Sequence, residues 1–144
     1  MQEDAQPILE EAREAYGSMK APDSFQLVQA AECLVLLSEP AEALALLSRV
    51  AQGKREAHWH HRQAQALRLS QRFDEALAEI SQSLSDNADS KYTAAFFEEQ
   101  WKIREAMGDG NAIESLRKAV AASEQDSKYG TALRVRLAEV EVRR

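Results

Sequence analysis

A short pattern that returns every 33–36 residues is the feature that most constrains the fold of this chain. A polar residue, an alanine and an aliphatic residue recur with their alanines at Ala43, Ala76 and Ala112. An aliphatic residue follows each alanine four positions later, and this spacing places the two side chains on one face of a helix. A period in this range predicts a stack of helical hairpins.

A second repeated element supports the same period. The tetrapeptide Asp-Ser-Lys-Tyr occupies positions 89–92 and 126–129, which are 37 residues apart, and each copy precedes a helical stretch. Ser90 and Ser127 are predicted to be N-caps, because a serine hydroxyl can accept from an amide of the first turn. Pro40 is predicted in the first turn of a helix, and Gly108 at a helix end in the left-handed conformation.

These signals predict an all-α chain of about eight helices, forming a right-handed α-solenoid of antiparallel helix-turn-helix repeats. Only five glycines and three prolines interrupt the sequence, which fits helices throughout. One domain, 1–144, is predicted because no linker interrupts the array. It comprises an N-terminal helix at 5–18, repeats at 23–52, 55–86 and 91–124, and a C-terminal or capping helix at 128–143.

The second pair of helices resembles the tetratricopeptide repeat (TPR) family. Segment 73–77 reads Phe-Asp-Glu-Ala-Leu and is similar to the opening of the second helix, helix B, of a TPR unit. Ala64 stands where this family keeps a small residue in helix A, and Leu67 where it keeps a large core residue. The other two pairs match at Ala31, Leu34, Ala43 and Leu47, and at Ile103, Ala112, Leu116 and Ala119.

The resemblance is incomplete in three respects. The first pair lacks the aromatic residue before its Glu-Ala, and no proline closes the second or third pair. Gln100 replaces the small residue in helix A of the third pair, which is also expected to be longer. The likeness covers about 100 residues and rests on three copies in register.

The resemblance implies a protein-interaction scaffold that binds a partner peptide or protein, of unknown identity, on the exposed faces of its A helices. Carried over through the alanine anchors, that concave groove comprises Phe25, Val28, Glu32, His58, His61, Gln65, Arg68, Phe97, Trp101 and Arg104. For Val28, Phe97 and Trp101, packing between helices is an equal alternative. Val28 and Glu32 stand where chaperone-binding TPR domains use Lys and Asn, which argues against that subtype.

Two other functions remain open. The chain could be a structural self-assembly module, since a short array leaves apolar end faces to cover. It could also be the docking or regulatory segment of a larger protein, because the final residues still follow a helical pattern. The partner could also be a non-protein ligand.

The residues that could carry chemistry do not form a convincing site. His58 and His61 share a helical face, but a metal site needs a third or fourth ligand, and none is evident. No glycine-rich phosphate loop occurs. No catalytic residue, metal or cofactor is therefore predicted. Cys33, the single cysteine, lies in an apolar run and is predicted to be a small buried side chain.

Charge and hydropathy narrow the partners further. The net charge of −6 argues against a duplex nucleic-acid partner, because such proteins present a basic surface. No apolar stretch reaches the roughly 20 residues that span a bilayer, and the start does not resemble a signal peptide. A soluble protein is expected, with the cytoplasm as the favoured compartment.

Overall fold

All the regular secondary structure in the described residues is helical. The computed structural model describes residues 2–86, 91–123 and 127–143, and over these it contains eight α-helices and no strand, so the expected all-α class is confirmed. The helices are α1 (Gln2–Gly17), α2 (Ser24–Leu36), α3 (Pro40–Ser48), α4 (Ala57–Leu69), α5 (Phe73–Asp86), α6 (Thr93–Met107), α7 (Ala112–Ala122) and α8 (Lys128–Val142). A 3-10 turn, Gln52–Lys54, joins α3 to α4.

Three of the predicted helix ends are confirmed. Pro40 lies in the first turn of α3, and Gly108 ends α6 with φ of 72°. The Ser127 hydroxyl accepts from the Gly130 amide at 2.9 Å and caps α8. The predicted N-cap Ser90 lies outside the described residues.

The repeated alanines lie inside the helix packing, as their spacing predicted. Each one is buried together with the aliphatic residue four positions later. The buried pairs are Ala43 with Leu47, Ala76 with Ile80, and Ala112 with Leu116. A side chain as small as alanine lets the neighbouring helix approach closely, which is why the position recurs in each pair.

The chain divides into two compact units, Met1–Arg72 and Phe73–Arg144, with the division between α4 and α5. In the first unit α2 contacts α1, α3 and α4, and α3 also contacts α4. Its core includes the fully buried Leu34 and Leu47. Helices close in sequence therefore pack together, as in repeat proteins.

In the second unit α6 lies in contact with both α5 and α7, and α7 also contacts α8. Its largest fully buried side chains are Phe96, Ile80, Ile103, Leu116 and Leu133. α6 has 15 residues against 13 in α2 and α4, so the first helix of the third pair is longer than those of the other two, as expected.

Candidate binding surfaces

Four of the predicted residues on α2 and α4 form one mixed surface in the first unit, together with Arg62. This α2–α4 face comprises Phe25, Glu32, His58, Arg62 and Gln65. The Phe25 side chain is 60% exposed, and its ring centroid lies 6.5 Å from that of His58. An exposed aromatic side chain beside a half-buried histidine can contact a partner through both apolar and polar groups.

An ion pair organises the rest of the α2–α4 face. The Arg62 guanidinium lies 3.1 Å from the Glu32 carboxylate and donates to Gln65 Oε1 at 2.8 Å. Glu32 and Gln65 were predicted on this surface, whereas Arg62 was not. Its position three residues before Gln65 places it on the same helical face, so that spacing could have identified it.

The remaining predicted residues of the first unit differ in exposure. His61 and Arg68 are half-buried on α4. Val28 is only 3% exposed and belongs to the core cluster of the unit. Of the two alternatives for Val28, the structure therefore shows packing between helices.

In the second unit, Arg104 lies in the interface between α6 and α7. Its guanidinium donates to the Ser115 hydroxyl at 2.8 Å and lies 3.8 Å from the Asp109 carboxylate. The buried Ser115 hydroxyl also donates to Gln100 Oε1 at 2.8 Å. Gln100 of α6 therefore faces a small polar residue of α7, and a hydrogen bond satisfies its amide oxygen.

Trp101 is also a packing residue, but it borders a pocket. It is 8% exposed and belongs to a core cluster against which the half-buried Phe97 packs. Next to it, α6 and α8 enclose a cavity of about 320 Å³, the α6–α8 pocket, lined by Glu98, Trp101, Lys102, Tyr129, Leu133 and Arg136. Only Trp101 of this set was predicted.

Charged side chains shape the α6–α8 pocket. The Arg136 guanidinium lies 5.9 Å from the centroid of the Trp101 ring. The Tyr129 hydroxyl donates to Glu98 Oε1 at 2.9 Å, and burial together with this carboxylate raises the pKa of Tyr129 far above its usual value. The hydroxyl therefore stays protonated and bonded to Glu98. Lys102 and Arg136 are the two cations in the lining of the pocket, and Arg136 Nε also lies 3.8 Å from the Glu139 carboxylate.

A larger concavity lies between α1 and α2 in the first unit. This α1–α2 groove has a volume of about 570 Å³ and a mainly apolar lining. Its walls include Ala12, Ala15 and Tyr16 on α1, and Ala30, Cys33 and Leu36 on α2. The prediction that Cys33 is buried is wrong, because the helix turns this side chain outward while Leu34 and Val35 face the core.

Glu42 ties α1 to α3 beside this groove. Its carboxylate accepts from Arg13 Nε at 3.0 Å and from the Tyr16 hydroxyl at 2.7 Å. These two donors lower the pKa of Glu42, since both favour its ionised form. The sequence pattern does not predict this contact, because Glu42 stands out in it only as the polar residue of the first repeated element.

No group of candidate metal ligands occurs in the part of the chain that the structure describes. No three His, Cys, Asp or Glu side chains converge there in a way that could hold an ion. Nor does any helix of the described ranges have both the length and the apolar character needed to cross a membrane.

Comparison of the chain with protein-family models, curated proteins and solved structures found no match.

Proposed function

We propose that this chain is a non-catalytic, TPR-like helical-repeat module that binds a protein or peptide segment on the exposed faces of its A helices. The threefold pattern supports this proposal, together with the packing of helices against their sequence neighbours within each unit and the buried alanine anchors. In the solenoid that we propose, α2, α4, α6 and α8 are the A helices.

The observation that carries the proposal is the α6–α8 pocket. An aromatic wall from Trp101 and Tyr129 stands beside the two cations Lys102 and Arg136. Aromatic residues and arginine supply most of the binding energy at protein interfaces. A segment with an acidic side chain next to an apolar one complements this lining.

Lys102 and Arg136 are the residues to vary, because neither is buried. We expect Lys102→Ala/Arg136→Ala to reduce capture of a specific partner from lysate at least tenfold, as loss of two charged interface contacts typically does. Quantitative mass spectrometry of the captured proteins provides the measurement, and circular dichroism verifies that helix content is unchanged.

The matched control is Arg49→Ala/Lys54→Ala, which removes two exposed positive charges from the first unit. It should leave capture intact. If the pocket variant retains every partner of the wild type, or if both variants lose the same proteins, the pocket is not the binding surface.

Trp101 and Arg104 are unsuitable for this experiment, although both were predicted on the binding surface. Removing the Trp101 ring from its core cluster is expected to cost about 3–5 kcal/mol of stability. Arg104 holds Ser115 in the α6–α7 interface. A loss of binding in either variant would therefore not distinguish a lost contact from a disturbed fold.

A further inference from the structure

α8 is apolar on two opposite sides. On one side Leu133 is buried in the core cluster, and Leu137 and Val140 pack against that cluster. On the other side Val135 is 54% exposed and Val142 is 86% exposed. Ala138 lies between these two valines in the sequence, and at 100° per residue it lies on the same face of the helix. We call Val135, Ala138 and Val142 the outer stripe.

An outer stripe of this kind is unusual for a surface helix. Such helices normally bury one apolar stripe and present polar residues on the opposite face. Here the residues of that opposite face repeat at intervals of three and four, the spacing by which a helix packs against another helix. The outer stripe therefore has the pattern of a contact surface.

The α1–α2 groove has the matching shape. It is open and mainly apolar, and along α2 its lining runs from Gln26 to Leu36. The ten residue steps from Gln26 to Leu36 extend over about 15 Å of helix, whereas the seven steps from Val135 to Val142 extend over about 10 Å. The outer stripe is therefore short enough to lie along the groove.

The two segments of the chain that carry these surfaces have opposite net charge. Residues 1–36, which include both walls of the groove, contain seven acidic residues and two basic ones. Residues 128–144 contain five basic residues and two acidic ones. Within these sets Glu32 lines the groove itself, and by helical phase Arg134 borders the outer stripe on one edge and Glu139 on the other. Complementary charge favours the encounter of the two surfaces and fixes their register.

We propose that the outer stripe of α8 docks into the α1–α2 groove of a second copy of this chain. The two surfaces differ, so the contact is head-to-tail and each bound copy still offers one unused surface. Association can therefore continue beyond a dimer. The outer stripe lies on the side of α8 opposite Leu133, which lines the α6–α8 pocket, so this contact does not involve that pocket and does not depend on the proposed function.

Two substitutions at exposed positions test this contact. Ala15→Arg places a long cation in the groove, and Val135→Glu places an acid in the outer stripe. Sedimentation velocity over a concentration series should show that the average mass of the wild type rises with concentration and that each variant alone is monomeric. Added salt should weaken the association of the wild type, since it screens the complementary charges.

An equimolar mixture of the two variants gives the most specific result. Ala15→Arg retains an intact outer stripe, and Val135→Glu retains an intact groove. The outer stripe of Ala15→Arg can therefore still bind the groove of Val135→Glu. The mixture should form this heterodimer and nothing larger, because the other two surfaces are blocked. Ala41→Arg and Ala78→Glu introduce the same charges at other exposed positions and should associate like the wild type.

Several outcomes would overturn the proposal. The wild type could remain monomeric at its highest soluble concentration, or the mixture could remain monomeric. If Val135→Glu abolishes association and Ala15→Arg does not, the outer stripe pairs with the outer stripe of a second copy and not with the groove. None of these results bears on partner capture by the α6–α8 pocket, so failure of this contact and failure of the proposed function can be told apart.

Discussion

The two tryptophans of this chain are both buried, but only one of them has a hydrogen bond for its indole nitrogen. Trp59 Nε1 donates to the Leu47 carbonyl at 2.8 Å and so joins α4 to α3, while the Arg55 guanidinium lies 4.2 Å from its ring. Trp101 Nε1 has no hydrogen-bond partner among the described residues. A buried polar group without a partner lowers stability, whereas a satisfied one contributes to it.

Replacing each tryptophan with phenylalanine separates this hydrogen bond from packing. Trp59→Phe and Trp101→Phe remove similar volumes, but only Trp59→Phe breaks a hydrogen bond. We expect Trp59→Phe to lower the free energy of unfolding by about 1 kcal/mol more than Trp101→Phe. Urea denaturation followed by far-ultraviolet circular dichroism measures both losses, and equal losses would contradict the expectation.

Residues whose role depends on the local backbone could be predicted from the sequence. Gly108 and Ser127 act at helix ends through bonds within a few residues, so their types alone indicate their roles. The exposure of Cys33 could not be predicted in this way. An uninterrupted apolar run carries no helical phase, so it does not show which side chain faces outward.

At the scale of elements, the side-chain contacts that attach α1 to α3 could not be predicted from the periodic pattern. Glu42 meets Arg13 and Tyr16, which precede it by 29 and 26 residues. The sequence pattern indicated that α1 and α3 are helices, but it could not show which polar side chains meet across them. The same holds for Gln100 and Ser115, whose compatibility is visible only once α6 and α7 are packed.

Glu42→Gln tests how the attachment of α1 depends on pH. The folded state lowers the pKa of Glu42 below its usual value of 4.5, so the ionised carboxylate stabilises the fold. This contribution is present above that usual value and is lost as the pH falls through the lowered pKa. Glu42→Gln should therefore be less stable than the wild type at neutral pH, and the difference should close in acid.

Urea midpoints over a pH series measure this difference, and Glu14→Gln, which removes an exposed carboxylate from α1, is the control. Because the Glu42 side chain is about one-third exposed, solvent screens the interaction and the effect should be modest. A constant difference between Glu42→Gln and the wild type at every pH would mean that ionisation of Glu42 does not contribute.

At the scale of the whole molecule, the sequence predicted the helical class because its pattern occurs three times. One copy of a degenerate pattern has little weight, but copies in register specify the number and order of helices. The division into two compact units was not predicted, since it falls between α4 and α5, inside the second repeat. Each unit contains a core cluster of its own, and such clusters are not marked by any linker in the sequence.

Separate core clusters predict that damage to one unit stays largely within it. Leu34→Ala in the first unit and Leu116→Ala in the second each remove a fully buried side chain, at a cost of about 2–5 kcal/mol. Native-state hydrogen exchange should then accelerate mainly in α2–α4 for Leu34→Ala and mainly in α6–α8 for Leu116→Ala, because local opening follows cooperative units. Equal acceleration throughout the chain in both variants would instead show that the two units unfold together.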